Sequence, residues 1–235
     1  MFSSKVIGPA LVAAAIIILG LCLKAGIDNF SNRDRVVTVR GLCEKEVTAN
    51  LVTWPIVTKE MGNDLTAIYD KIQQTNATIT QFLTSNGISS EEILINPPAV
   101  EDRQANMYSN TDVLKWRYTV TNVIVVTSSK VQQVNDLMRK QPELMRKGIA
   151  VVAGDYEYRT SYDYTDLNSI KPQMIAEATR NAREAADKFA ADSGSDLGKI
   201  KTASQGQFSI TDRDKYTPYV KNVRVVTSIT YYLKN

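Results

Sequence analysis

Asn122-Val123-Ile124-Val125-Val126-Thr127-Ser128 returns one hundred residues later as Asn222-Val223-Arg224-Val225-Val226-Thr227-Ser228, identical at six of seven positions. Four or five β-branched residues in a run of seven read as a strand, because branched side chains pack well on a pleated surface. Each copy closes a similar series of elements, so the pair predicts a domain built twice over. In the first copy Val123 and Val125 share one face and Ile124 and Val126 the other, so both faces need cover, from a helix on one side and from a second layer or a second subunit on the other. Arg224 replaces Ile124 in the second copy, which predicts a wetter surface there. Ile124, Val126 and Arg224 are therefore candidate contact residues.

Upstream of the first copy, Val36 to Gly41 and Val47 to Lys59 have strand composition, and Pro55 predicts an edge or bulged position at Trp54-Pro55. Asn63 or Asp64 caps a helix with Leu65, Ile68, Ile72, Ile79, Phe82 and Leu83 near a period of 3.6, stopped at Asn86-Gly87. A short strand at Glu92 to Asn96, a polar loop through Asn110 and a long strand from Leu114 follow. Downstream, Ser129-Lys130-Val131-Gln132 fits a capping box opening a short helix that Pro142 interrupts. Ile149 to Tyr164 reads as a strand, about Asn168 to Asp192 as a helix with Ile170, Met174, Ala178, Ala182, Ala185 and Phe189 inward, and Ile200 to Ile210 and Tyr219 to Leu233 as strands. The expected class is α+β, with duplicated βαββ units, antiparallel sheets and amphipathic helices. The expected halves are about 36–128 and 129–235, preceded by an anchor and tether over 1–35.

That anchor is the uncharged run from Val6 to Leu23, bounded by Lys5 and Lys24. As a helix it spans roughly 27 Å, about the thickness of a hydrocarbon core, and it has no small-x-small cleavage site at its end. Val6, Leu11, Ile16, Ile17, Ile18, Leu19 and Leu23 are its apolar residues, and the lipid bilayer is the expected partner. Flanking cations alone would keep the C-terminal domain in the cytoplasm, yet long domains translocate largely regardless of such charges. The expectation is a single-pass inner-membrane protein with its domain outside the cytoplasm. Ala25 to Arg35 reads as a tether, and Cys43 as a small buried hydrophobe.

The stretches Val36-Thr38-Val39-Gly41, Asn86-Gly87-Ile88 followed by Glu91-Glu92-Ile93, and Ala176 to Ala186 running into Ser193-Gly194 and Leu197-Gly198-Lys199-Ile200 together resemble the SIMPL domain family, over essentially Val36 to Asn235. The resemblance implies repeated βαββ units, export behind a signal or anchor, ring-like or channel-like homo-oligomers and a loose link to envelope and oxidative stress. It brings no catalytic residues. The long apolar run without a clear cleavage site departs from the simplest family pattern.

Of 235 residues none is histidine, which removes the commonest general base and the commonest transition-metal ligand. There is also no phosphate-cradling glycine loop, serine elbow or cysteine cluster, so the expectation is not an enzyme and no cofactor or metal. A formal charge of +3 with interspersed signs makes no basic stripe, so nucleic acid is not an expected partner. Tyr156, Tyr158, Tyr162 and Tyr164 alternate with Glu157, Arg159 and Asp163, so a regular strand would gather the four rings on one face. That face is either core or a subunit contact surface. The expected function is a self-associating envelope protein; the alternative is a module that captures a small molecule or partner protein at the tyrosines or at the paired loops Pro97 to Asn110 and Thr211 to Lys215.

Overall fold

The computed structural model describes residues 4–31, 35–105, 115–152 and 156–234, and within them not the side chains of residues 4–7, 9, 10, 25, 28–31 and 156. The described chain runs α1 (Ser4–Ser31), β1 (Val36–Thr48), β2 (Leu51–Gly62), α2 (Leu65–Ser85), β3 (Ile93–Ile95), β4 (Ala99–Asp102), β5 (Tyr118–Ser128), α3 (Val131–Lys140), α4 (Pro142–Arg146), β6 (Val151–Val152), β7 (Ser161–Asp163), α5 (Leu167–Asp192), β8 (Asp196–Gln205), β9 (Ser209–Asp212) and β10 (Val220–Lys234). It is a mixed α+β chain with antiparallel sheets. It divides into two compact units: unit 1 is Met1–Lys45, Asn168–Ser209 and Val223–Asn235, and unit 2 is Glu46–Leu167 and Ile210–Asn222. The two units are thus not the consecutive halves 36–128 and 129–235. Unit 1 draws its opening strand, β1, from ahead of unit 2 in the chain, while the segment expected to open the second half supplies β6 and β7 to the sheet of unit 2.

In unit 2 the sheet order is β3-β5-β2-β6, with β4 also on β5 and β7 also on β2. β2 and β5 pair without interruption from Val52↔Ser128 to Gly62↔Tyr118. Pro55, expected at an edge or bulge, sits inside that ladder opposite Val125. The other side of β2 carries the two short strands β6 and β7. There β7 covers Leu51 to Thr53 and β6 covers Val57 and Thr58, and among the described residues none pairs with 54–56 on that side. A proline has no N–H to donate, so Pro55 gives β2 one ladder hydrogen bond fewer than any other residue would. The segment Pro97 to Asn110, read as loop, in fact carries β4, paired with β5 from Ala99↔Thr121 to Asp102↔Tyr118; residues 106–110 lie outside the described residues, as does the start of the long strand expected from Leu114.

Asp64 caps α2 by accepting from the N–H groups of Thr66 (2.8 Å) and Ala67 (3.3 Å), and Gly87, with φ of +91°, turns the chain at its end. The capping box expected at Ser129 is absent: Lys130 precedes α3 and offers no side-chain cap. A reciprocal arrangement occurs at Ser89 and Glu92 instead, where Glu92 accepts from both the N–H (2.8 Å) and the hydroxyl (3.1 Å) of Ser89. The helices α2 and α3 bury Ile79, Phe82, Leu83, Val134 and Leu137 against Val52, Trp54, Ile56, Ile124 and Val126.

In unit 1 the order is β1-β10-β8. Leu233 donates to Arg35 at 2.8 Å and Thr38 meets Thr230 at 2.9 Å, so β1 and β10 are antiparallel. Both units therefore repeat one plan, strand, helix, strand, strand, with the last strand in the middle of the sheet. Along α5 the buried positions are Met174, Ala178, Ala182, Ala186 and Ala190, a straight i, i+4 row. Ala185 and Phe189, expected inward, face solvent. The row stays straight because it follows the small residues, and these let the helix lie very close to β1. A Cβ on Gly41 would come 1.9 Å from the Ala178 carbonyl oxygen and 2.4 Å from the Ala182 nitrogen.

α1 continues to Ser31, so the expected tether from Ala25 is mostly helix. Among the described residues no helix is long and apolar enough to cross a membrane.

Candidate functional site

The two heptamers occupy equivalent central strands but turn opposite faces to their helices. In β5 the even positions Ile124 and Val126 are fully buried under α2 and α3. In β10 burial follows the odd positions, from Lys221 through Val223, Val225, Thr227 and Ile229 to Tyr231, and Ile229 and Tyr231 pack on Ala182 and Ala186 of α5. Both pairing irregularities between β10 and β8 fall at Thr230 to Leu233, beyond the heptamer. Arg224 consequently points away from α5, exposed, with its Nε 3.5 Å from Glu44. Of the three contact candidates in the heptamers, Ile124 and Val126 are therefore core, and Arg224 is a surface residue in an ion pair.

The four tyrosines do not line up. Tyr156 to Tyr158 form a turn of 3-10 helix, where three residues per turn replaces the period of two, and the side chain of Tyr156 is outside the described set. Tyr162, on β7, is buried; its hydroxyl donates to Asn135 Oδ1 at 2.6 Å, and its ring meets Tyr219 edge-on at 6.1 Å. Burial raises its pKa, with the neighbouring Tyr219 adding to the effect. Tyr158 and Tyr164 are half-buried. Tyr158, Arg159, Thr160 and Gln141 line a notch of about 250 Å³ beside Trp54 and Pro55.

A larger apolar groove, about 330 Å³, lies between the first half of α2 and β4–β5. Ile68, Ile72 and Val120 form its floor, with Tyr118 packed against them. Leu65, Tyr69, Pro98 and Val100 make its sides, and Leu65, Tyr69 and Val100 are 42, 53 and 54% exposed. Gly62 gives Ile68 its place, since a Cβ there would stand 3.2 Å from the Ile68 side chain. Ion pairs lie close by: Glu60 with Lys71 at 2.6 Å, and Asp102 with Arg117 at 2.8 Å. A groove of this volume and lining suits an aliphatic group. Reading the sequence alone placed Leu65 in the core and Pro98 and Val100 in a polar loop; the usable signal was Val100, an apolar residue between Ala99 and Glu101 with strand propensity.

Glu92 ties β3 to the end of β5. Ser128 donates to its Oε1 at 2.6 Å and Lys130 reaches its Oε2 at 3.3 Å, while Lys130 also donates to the Gly87 carbonyl at 3.3 Å. The Ser128 hydroxyl, the Ser89 N–H and Lys130 pull its pKa down to about 2. This cluster is satisfied within itself and holds the end of α2 to the start of α3. Among the described residues no three acidic or cysteine side chains converge as a metal site. Cys43 is buried, and its thiol pKa is raised by that burial and by Glu177.

On α1, Leu11, Ile16, Ile17, Ile18, Leu19 and Leu23 are all 58–66% exposed, and every described side chain from 11 to 24 faces outward. The helix is apolar on all sides. The side chain of Val6 is outside the described set.

A family model described as SIMPL, protein of unknown function (DUF541), matches residues 37–228. No curated protein matches the chain.

Proposed function

Because the chain belongs to the SIMPL family, we propose that it works as a membrane-anchored, non-enzymatic envelope protein that self-associates, with its two units outside the cytoplasm. The observation that carries this is α1: a helix apolar all round and exposed along its described length is costly in water and stable in lipid or against another apolar surface. The uncharged run Val6 to Leu23 spans roughly 27 Å as a helix, close to a bilayer core. A sequence without histidine lacks the commonest general base, and the reading without catalysis starts from that. Alkaline carbonate extraction of membranes tests the anchor: the protein is expected in the pellet, and recovery in the supernatant refutes it. Mass photometry of detergent-purified protein tests assembly, and a monomer across the micromolar range ends that part.

A second reading, capture of a small apolar ligand, is favoured by the groove between α2 and β4–β5. Its probe is a dansylated fatty acid, whose fluorescence should rise with micromolar affinity and be lost in Val100→Asp, a change at an exposed position that leaves the fold intact. Equal binding by both proteins removes the groove from consideration.

A further inference from the structure

One end of unit 1 collects the termini of four elements. β1 starts there, β10 ends there, β8 starts there with Asp196 opposite Lys234, and α5 ends there, with Ala186 packed on Val37 and Arg35 reaching Ser195 at 3.5 Å. Two large apolar side chains stand exposed at this end: Phe189 at the close of α5 (51%) and Ile200 on β8, opposite Tyr231 (53%). At the same end Arg35, Lys199, Lys201 and Lys234 are all exposed, with Lys201 over the Tyr232 ring at 5.5 Å, on the face of β10 away from α5. Of the acids here, Asp192 is paired with Lys188 at 3.3 Å, so cations outnumber free acids.

We propose that this end of unit 1 is a lipid-contact surface, with Phe189 and Ile200 entering the boundary between headgroups and acyl chains and the cations at the same end meeting anionic headgroups. The proposal rests on the anchor reading of α1. Four residues, 32–35, separate α1 from β1, so whatever path they take, Val36 starts within about 18 Å of the end of α1. An anchored α1 thus delivers this end, and not the opposite one, to the bilayer surface. A phospholipid surface matches both halves of the chemistry, since an aromatic ring at the boundary and basic residues over anionic headgroups are what such surfaces select. Lysines on an edge strand also discourage strand pairing between copies, and the experiment separates that role.

Full-length protein is placed in nanodiscs of phosphatidylcholine alone or with phosphatidylglycerol, and amide exchange is followed over residues 186–201, with α2 of unit 2 as internal reference. The expected result is slower exchange of 186–201 in the anionic discs, reversed by high salt. Lys199→Gln/Lys201→Gln should reduce the protection on the order of tenfold or more at roughly fivefold per charge, with α2 exchange unchanged. Phe189→Ser should weaken it in both lipids. Equal exchange in the two lipids by protein that remains in the discs overturns the surface while leaving the anchor standing. Loss of lysines that causes self-association in detergent with no change in lipid-dependent protection overturns it in favour of edge protection. Protein that fails to enter the discs refutes the anchor, and the surface with it.

Discussion

Gly41 shows how one missing methyl group sets the distance between α5 and β1. A side chain there would meet backbone atoms of Ala178 and Ala182, which cannot swing aside as a flexible side chain would. Gly41→Ala should therefore cost about 3 kcal/mol or more, at the upper end of overpacking penalties, and read out as a lowered urea midpoint. Glu92 makes a different kind of claim. Its folded pKa of about 2 lies below the ordinary carboxylate value of 4.5. Its contribution to stability is thus present above the ordinary value and disappears as pH falls from about 4.5 towards 2. Glu92→Gln keeps the shape but loses charge-assisted bonds to Ser128 and Lys130, with an expected cost of about 1–3 kcal/mol at pH 7. The difference between wild type and Glu92→Gln should shrink at pH 3, and a constant difference would refute the assignment.

At the scale of elements, β5 and β10 make the point that nearly identical strands need not present the same face. Strand period is two, so a shift of one residue relative to the helix exchanges core for surface. Ile124 is fully buried in β5, whereas its counterpart Arg224 is exposed and paired with Glu44. Ile124→Arg places an unpaired charge in the core and should cost more than about 4 kcal/mol, abolishing a cooperative urea transition in unit 2. Arg224→Ile should change stability by less than about 1 kcal/mol. Comparable losses in both variants would contradict the opposite facing. β2 carries a related lesson, since Pro55, which alone suggests an edge or bulge, lies inside an uninterrupted pairing of β2 with β5.

For the molecule as a whole, two units share one strand, helix, strand, strand plan, and in the chain unit 2 interrupts unit 1 twice, with Glu46–Leu167 between its first strand and its helix and Ile210–Asn222 before its last strand segment. Every side chain of α1 from residue 11 to 24 is exposed. A charge at the centre of a membrane helix costs about 2.5–3.5 kcal/mol. Ile17→Asp combined with Leu19→Asp should accordingly move the protein into the carbonate supernatant, with urea unfolding of the two units unchanged. Retention in the pellet would assign membrane attachment to some other surface.

Amino-acid order alone determined the alphabet of elements here: branched runs made strands, the 3.6 period made α2 and most of α5, and Asp64, Gly87 and Gly194 marked helix ends, because these depend on neighbours within a few residues. It also carried the family resemblance. Only tertiary structure decided which strand joins which sheet. β1 lies far in sequence from α5 and β10, and β6 and β7 join β2 instead of opening a second half. Pairing over such separations depends on which apolar faces meet, and the alternation within a strand is the same whichever partner it finds. For the same reason the heptamer named a strand but not its buried face, Ala186 and not Ala185 completed the helix row, and the groove beside α2 stayed hidden until Pro98 and Val100 were brought against Ile68 and Ile72.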